Sequence, residues 1–166
     1  MRFGIGQPVT RKEDVRFLTG RGRYVADIDL VRQGHAVFVF SPHANAQIRA
    51  TDKAAAERMP GVFAVLTGED WAADGLGTLD PEVMAEDMGG PAGFRTKRPP
   101  LAQGRVRYVG ERVAVVVAES EVLARDAAEL VSVDYDVLPA VVRAEEAIGS
   151  SAPPINEGAE IGRAHV

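Results

Sequence analysis

The spacing of apolar residues in the C-terminal half of the chain predicts a buried strand followed by a helix. In Val113 to Ala118 both alternating sets of side chains are apolar, as in a strand that is covered on both faces. We therefore expect a central strand. Ser120 can cap a helix N-terminus, and Leu123, Ala127 and Leu130 then follow at i, i+4 and i+7, which predicts a short amphipathic helix packed on a sheet.

Two flanking segments show the period-two pattern of strands. Val131 to Val137 alternates between apolar residues and Ser or Asp, and Pro139 ends the pattern. Before the central strand, Val106 to Val109 also alternates, and Gly110-Glu111 separates it from the central strand. A Gly-containing dipeptide between two such runs predicts a β-hairpin.

The first half of the chain predicts a similar order of elements. Arg23 to Ile28 alternates weakly as a first strand, and Ala36 to Phe40 alternates more strongly until Ser41-Pro42 interrupts it. The interrupted strand resumes over Ala46 to Ala50. The elements after it are a helix over Ala54 to Met59 that Asp52 can cap, and a buried strand over Val62 to Leu66. These elements predict two strand-helix-strand units, with a mixed sheet and two short helices. The expected fold class is therefore α+β.

Two segments lack this periodicity. Residues 1–17 contain Gly4, Gly6 and Pro8, so an extended N-terminal arm is expected. Residues 67–100 form a long loop rich in Gly, Pro, Asp and Glu, and such loops are usually functional, flexible or buried in a partner. Its large apolar side chains, above all Trp71, Leu76 and Met88, are the ones we expect to be exposed when a partner is absent.

Composition narrows the class of protein. The 166 residues suit one domain with a substantial core, and the absence of Cys excludes a thiol nucleophile or a Cys-ligated metal in this chain. A net charge of −5 argues against a nucleic-acid surface, although Arg95, Lys97 and Arg98 form a local basic patch. No apolar run is long enough for a membrane span or a signal peptide. We therefore expect a cytoplasmic protein.

Several residue groups suggest chemistry, and each has a more ordinary interpretation. Gly4-Ile5-Gly6 and Gly20-Arg21-Gly22 do not join a strand to a helix as phosphate-binding loops do, so ordinary turns are favoured. Ser41 and His43 lack a third orienting group, which favours a structural Ser-Pro bend over a nucleophile and base.

The remaining candidates are acids and histidines. His35 and His43 lack nearby carboxylates at ligand spacing, so they form a poor metal site. Asp134 and Asp136 share one strand face and are best explained as a solvated face. The sequence therefore assigns no catalytic, cofactor-binding or metal-binding residue.

Four segments carry a specific resemblance to a known family. They are GQPVTRKEDVRFLTGRGRYVADI, SPHANAQIRATDKAAAERMPGVFAVLTGED, RPPLAQGRVRYVGERVAVVVAES and ARDAAELVSVDYDVLPAVV. In this order they resemble the N-terminal α/β hammerhead domain of the molybdopterin-binding large subunits of the xanthine dehydrogenase, aldehyde oxidase and carbon monoxide dehydrogenase family, over about residues 4 to 148. The carbon monoxide dehydrogenase type is the most similar. Arg112 stands where the family usually has proline, and Asn45 where it usually has a histidine; both are compatible with the fold.

The resemblance implies the function of a larger protein. In the family, the large subunit binds a molybdopterin-type molybdenum cofactor and oxidises an aldehyde, a purine or other heterocycle, or carbon monoxide with oxygen from water. Iron–sulfur clusters and FAD are expected on partner subunits. The cofactor contacts and the catalytic glutamate belong to later parts of the subunit, so none is assigned to this chain. The resemblance also draws attention to Glu111 as a contact with the rest of the enzyme.

These expectations divide the chain into four parts: an arm over residues 1–17, the hammerhead domain over 18–142, a linker over 143–160 toward a molybdopterin-binding domain, and a tail over 161–166. Residues Ile161 to Val166 back-translate to ATC GGA AGA GCA CAC GTC, which resembles a short-read sequencing adapter, so we expect a non-native tail on a truncated fragment. The fragment alone is predicted to be inactive. The alternative is a stand-alone, non-catalytic binding or interaction domain.

Overall fold

The computed structural model describes residues 6, 10–79, 96–147 and 152–156. The chain separates into two compact units, Met1–Gln33 and Gly34–Val166. The proposed tail and residues 80–95 of the long loop lie outside the described residues. The division of the chain at residues 17, 142 and 160 stays a prediction.

The first unit contains a short helix and a 3₁₀ turn. Helix α1 spans Asp14–Leu18, so the described end of the arm is helical and the expected extended conformation is wrong there. Val25–Asp27 form the 3₁₀ turn in place of the predicted first strand. Tyr24 N donates to the Asp27 carboxylate at 2.8 Å, and this local hydrogen bond favours a turn over an extended ladder.

The second unit contains two antiparallel three-stranded sheets. Sheet I has the order β1 (His35–Phe40), β5 (Arg112–Ala118), β3 (Val62–Thr67), and sheet II has the order β4 (Arg105–Val106), β2 (Ala46–Asp52), β6 (Ser132–Val137). The strand over Arg112–Ala118 is central, as its apolar pattern predicts. All pairings between the described strands are antiparallel, so two antiparallel sheets stand in place of the expected mixed sheet, while the α+β class is confirmed.

Each described helix of the second unit follows a strand, and two of these helices connect the sheets. The second unit has α2 (Ala54–Glu57), α3 (Gly68–Ala73), α4 (Glu121–Glu129) and α5 (Ala144–Ala147). Both predicted strand-helix-strand units are present, as β2-α2-β3 and β5-α4-β6, and each passes from one sheet to the other. Helix α3 occupies the start of the predicted long loop. The sequence pattern that indicates α3 is Thr67-Gly68-Glu69-Asp70. It forms a capping box, in which the side chains of Thr67 and Asp70 each accept a hydrogen bond from the backbone N–H of the other residue.

The predicted hairpin at Gly110-Glu111 is wrong. Strand β4 ends at Val106 and pairs with β2, whereas β5 pairs with β1 and β3. The turn pairs instead with a residue far away in the sequence, because Gly110 N donates to Ser41 O and Ser41 N donates to Glu111 O, both at 2.8 Å. Gly110 has φ +84°, which a side-chain-bearing residue would adopt only with strain.

The apolar core consists of two clusters. Helix α4 and the inner face of sheet I enclose the first, which contains Ala56, Val65, Ala114, Val116, Ala127 and Val131. The second contains Ala46, Ala102, Val106 and Val113. Adjacent residues Val113 and Ala114 thus enter different clusters. A register shift between β1 and β5 at this point allows both to be buried. No helix among the described residues has the length and apolar character needed to cross a membrane.

Candidate functional site

Buried polar residues meet where β1 ends and the Gly110-Glu111 turn begins. Ser41 and Asn45 are each 2% exposed and Glu111 is 8% exposed. Together with Arg105 they form what we call the polar junction. Because an unpaired buried polar group destabilises the fold, each of these side chains needs a partner.

Ser41 uses its hydroxyl to shape the bend after β1. Its Oγ accepts a hydrogen bond from His43 N at 3.0 Å and donates to His43 O at 3.1 Å. The His43 ring instead packs edge-on against Tyr135, with centroids 4.9 Å apart. The arrangement supports the structural Ser-Pro bend and does not pair a serine nucleophile with an imidazole base.

Tyr135 extends the junction toward sheet II. Burial raises the pKa of the Tyr135 hydroxyl, and a hydrogen bond with Ser41 partly offsets this effect. The phenol therefore stays protonated at neutral pH and acts as a packing and hydrogen-bonding group.

Asn45 connects three segments of the domain. Its Nδ2 donates to Pro139 O at 2.6 Å and its Oδ1 accepts from Arg105 Nε at 3.0 Å. Leu138 N donates to the Asn45 carbonyl at 2.9 Å. In the sequence, Asn45 stands out only as a departure from the family pattern. Its burial was not predicted, because a polar residue between strands normally indicates an exposed turn.

Glu111 and Arg112 point to different environments. The Glu111 carboxylate is buried and accepts a hydrogen bond from Arg107 N. Arg112 is exposed, and its guanidinium lies 5.0 Å from the centroid of the Phe38 ring. Glu111 is therefore engaged within the domain, whereas the Arg112 side chain lies on its surface.

A second polar cluster joins α2 to α3. Lys53 Nζ lies 2.8 Å from Asp70 Oδ2 and 3.3 Å from Glu57 Oε1, and it donates to Val65 O at 3.0 Å. Hydrogen bonds from Lys53 and Thr67 lower the pKa of Asp70, although partial burial opposes this. Burial lowers the pKa of Lys53, but hydrogen bonds to Asp70 and Glu57 outweigh burial and raise it overall. Both groups are thus held charged as a structural ion pair.

The structure does not support a metal site at His35 and His43 or a catalytic pair at Asp134 and Asp136. His35 is the first residue of β1 and His43 follows its end, so the strand separates them. Asp134 and Asp136 are exposed on β6, and Asp136 pairs with Arg49 at 2.9 Å. This supports the interpretation of a solvated face.

The candidate glycine motifs and the basic patch have ordinary surroundings where they are described. Gly20 and Gly22 follow α1 instead of opening a helix, as expected of a turn. Gly4 and Ile5 lie outside the described residues, as does Arg95. Lys97 and Arg98 are exposed, and Arg98 exchanges backbone hydrogen bonds with Leu79.

Trp71 and Leu76 lie in the described part of the predicted long loop. The Trp71 indole donates to Gly77 O at 2.8 Å, and Leu76 is exposed. Met88 lies outside the described residues.

The described ranges, 10–79, 96–147 and 152–156, contain no group of three His, Asp or Glu side chains that could hold a metal ion.

Comparison with known families gives one match over most of the chain. The model of the aldehyde oxidase and xanthine dehydrogenase a/b hammerhead domain matches residues 19–139. Among curated proteins, the nicotine 6-hydroxylase large subunit of Paenarthrobacter nicotinovorans is 43% identical over 87% of this chain. The carbon monoxide dehydrogenase large chain of Afipia carboxidovorans is 38% identical over 93%.

Solved structures agree with these relatives. Quinoline 2-oxidoreductase from Pseudomonas putida 86 has a TM-score of 0.77 and 44% identity over 89% of this chain and 18% of its own. A Cu,Mo-CO dehydrogenase has a TM-score of 0.74 and 38% identity over 90% of this chain and 18% of its own. The chain spans 17% and 18% of the length of the two curated relatives.

Proposed function

Since the chain belongs to the aldehyde oxidase and xanthine dehydrogenase family, as its a/b hammerhead region, we propose that it is the N-terminal framework domain of a molybdenum hydroxylase large subunit. The intact subunit would oxidise an aldehyde, a purine or other heterocycle, or carbon monoxide with oxygen from water. The proposal includes a cytoplasmic location and partner subunits that carry iron–sulfur clusters and FAD.

The match over residues 19–139 is the observation that carries this proposal. The relatives belong to enzymes, and one relative of known structure is a Cu,Mo enzyme. The size relationship also supports a framework role, since the matching region is 17–18% of those proteins.

The chemistry is assigned to the cofactor and not to this chain. A molybdenum cofactor, when bound, supplies the oxygen-atom transfer and accepts the electrons. The sequence assigns no cofactor-binding residue to this chain, so no step is derived for its residues. What they supply is rigidity: the polar junction fixes the end of β1 against β2, β4 and the Gly110-Glu111 turn.

Sequencing the gene locus with long reads tests the proposal. We expect the reading frame to continue beyond residue 160 into the rest of a large subunit, with genes for flavin and iron–sulfur subunits nearby. A gene that ends after Val166 without such neighbours would instead support the stand-alone binding or interaction domain.

A further inference from the structure

Asp74 and Gly75 form a dipeptide whose backbone can rearrange chemically. Nowhere else in the 166 residues does an aspartate or an asparagine precede a glycine. Because glycine has no side chain, its backbone nitrogen can approach the carboxyl group of the preceding residue more closely than the nitrogen of any other residue can. Ring closure between these two groups gives a cyclic imide. The sequence therefore offers a single favourable position for this reaction.

The surroundings of the dipeptide leave room for the ring. Asp74 ends α3 and is exposed, as are Gly75 and Leu76. Gly75 has φ +68°. Within the part of the chain that the structure describes, no atom other than those of its chain neighbours would lie within 4 Å of a Cβ on Gly75. The space on this side of the dipeptide is therefore open to the ring.

Two hydrogen bonds hold the dipeptide in a geometry that does not react. Gly75 N donates to Ala72 O at 3.0 Å. The Trp71 indole Nε1 donates to Gly77 O at 2.8 Å, so a side chain closes the turn that follows α3. Asp74 has ψ −1°, which directs the Gly75 nitrogen away from the Asp74 side chain. The end of α3 must therefore open before the ring can form, and helix ends open locally at low cost.

We propose that Asp74-Gly75 is a site of isoaspartate formation and that the Trp71 indole limits its rate. In the opened turn, Gly75 N attacks Asp74 Cγ and the N–Cγ bond forms. One carboxyl oxygen leaves as water, with the proton of the carboxylic acid and the proton of the amide. Water then adds to the imide. When it cleaves the bond between Gly75 N and the Asp74 main-chain carbonyl, the chain continues through the Asp74 side chain as isoaspartate; cleavage of the new bond restores aspartate. One water is released and one is taken up, so the reaction needs no oxidant or reductant.

The product changes the end of α3. Isoaspartate adds one methylene to the main chain and leaves the former main-chain carboxyl group of Asp74 as a free carboxylate. The hydrogen bond from Gly75 N to Ala72 O cannot keep its geometry after this change. Modification should therefore unwind the last turn of α3, while the ion pair between Lys53 and Asp70 keeps the first turn in place.

Incubation of the 166-residue chain at neutral pH over several weeks tests the proposal. Digestion with a protease that cleaves before aspartate but not before isoaspartate, followed by mass spectrometry, gives the rate at Asp74. Trp71→Phe removes the indole donor and keeps an aromatic ring. Val116→Ala, which destabilises the core beneath α4, is the matched control. Asp74→Glu confirms the site, because glutamate forms the corresponding larger ring far less readily.

We expect isoaspartate at Asp74 in the folded chain, formed more slowly than in the same chain unfolded in guanidinium chloride. Trp71→Phe should raise the rate in the folded chain about fivefold, as expected when an opening equilibrium loses one hydrogen bond, whereas Val116→Ala should leave it unchanged. Absence of isoaspartate at Asp74 from the folded chain would overturn the proposal. An unchanged rate in Trp71→Phe, or equal acceleration by Val116→Ala, would overturn the role of the indole. The comparison of folded and unfolded chains needs no substitution, so it applies even if Trp71→Phe does not fold, and equal rates in the two would overturn the restraint by α3.

Discussion

The side chain of Asn45 in the polar junction forms hydrogen bonds with two other segments of the domain, at Arg105 and Pro139. Replacing it with alanine leaves Arg105 Nε and Pro139 O without the partners they have in the structure. Losing a buried partner typically costs about 1–3 kcal/mol. We therefore expect Asn45→Ala to lower the free energy of unfolding by about 2 kcal/mol in urea denaturation. The neighbouring exposed Gln47→Ala should change it little, and equal effects of both variants would contradict the role given to the junction.

Asp70 gives the domain a pH-dependent contribution to stability. Because its folded pKa is lowered, this contribution is present above the unfolded value of about 3.9 and is lost as the pH falls through the folded pKa. Asp70→Asn should destabilise the chain by about 1 kcal/mol at pH 7, a modest figure because the pair is partly exposed. The difference between the two proteins should shrink below about pH 4.

Urea denaturation between pH 3 and pH 7 measures this effect. The exposed Asp126→Asn is the control and should give a curve close to that of the unsubstituted chain. A difference between Asp70→Asn and the unsubstituted chain that grows at low pH would contradict the assignment of the ion pair.

At the scale of elements, α4 depends on its cap as well as on its apolar side. Ser120 Oγ accepts from Leu123 N at 3.3 Å. Ser120→Ala should therefore cost about 1 kcal/mol, and Ser120→Asp should restore most of it because aspartate also caps helices. Thermal unfolding followed by circular dichroism measures both variants. An Asp variant no more stable than the Ala variant would argue against capping.

The central position of β5 predicts a sharp contrast between two valines. Val116 is fully buried against α4 and both neighbouring strands, whereas Val122 is 70% exposed on α4. Val116→Ala should lower the free energy of unfolding by about 2 kcal/mol, because it removes buried methyl groups and leaves a cavity. Val122→Ala should lower it by less than about 0.5 kcal/mol. Similar losses would mean that β5 is not central.

The sequence predicted the elements that depend on local patterns. The apolar run over Val113 to Ala118 and the Ser120 cap lead directly to β5 and α4. The hairpin was wrong because the partner of Gly110 is Ser41, and a local pattern carries no information about a contact so distant in the sequence. Burial of Asn45 was missed for the same reason, since its partners Arg105 and Pro139 come from two other segments. The predicted strand over Arg23 to Ile28 was wrong because the Asp27 carboxylate accepts a hydrogen bond from Tyr24 N. This local bond favours a turn, and the alternation of apolar residues was too weak to favour a strand.

For the whole molecule, the isolated chain is expected to carry no molybdenum and to show no oxidoreductase activity. Expression of all 166 residues in a host that makes the molybdopterin-type cofactor tests this, with metal content measured by mass spectrometry. The carbon monoxide dehydrogenase large chain of A. carboxidovorans, produced in the same host, serves as the control that cofactor is available. Stoichiometric molybdenum in the isolated chain would show that this region alone binds the cofactor, contrary to the prediction.

The most direct test of the account is the molybdenum content of the native protein that contains these residues. Tagging the gene in its source organism and purifying the product gives both the polypeptide mass and the metal content. We predict a polypeptide several times longer than this chain that carries stoichiometric molybdenum. A polypeptide that ends at residue 166 and purifies without molybdenum would contradict the assignment of this domain to a molybdenum hydroxylase.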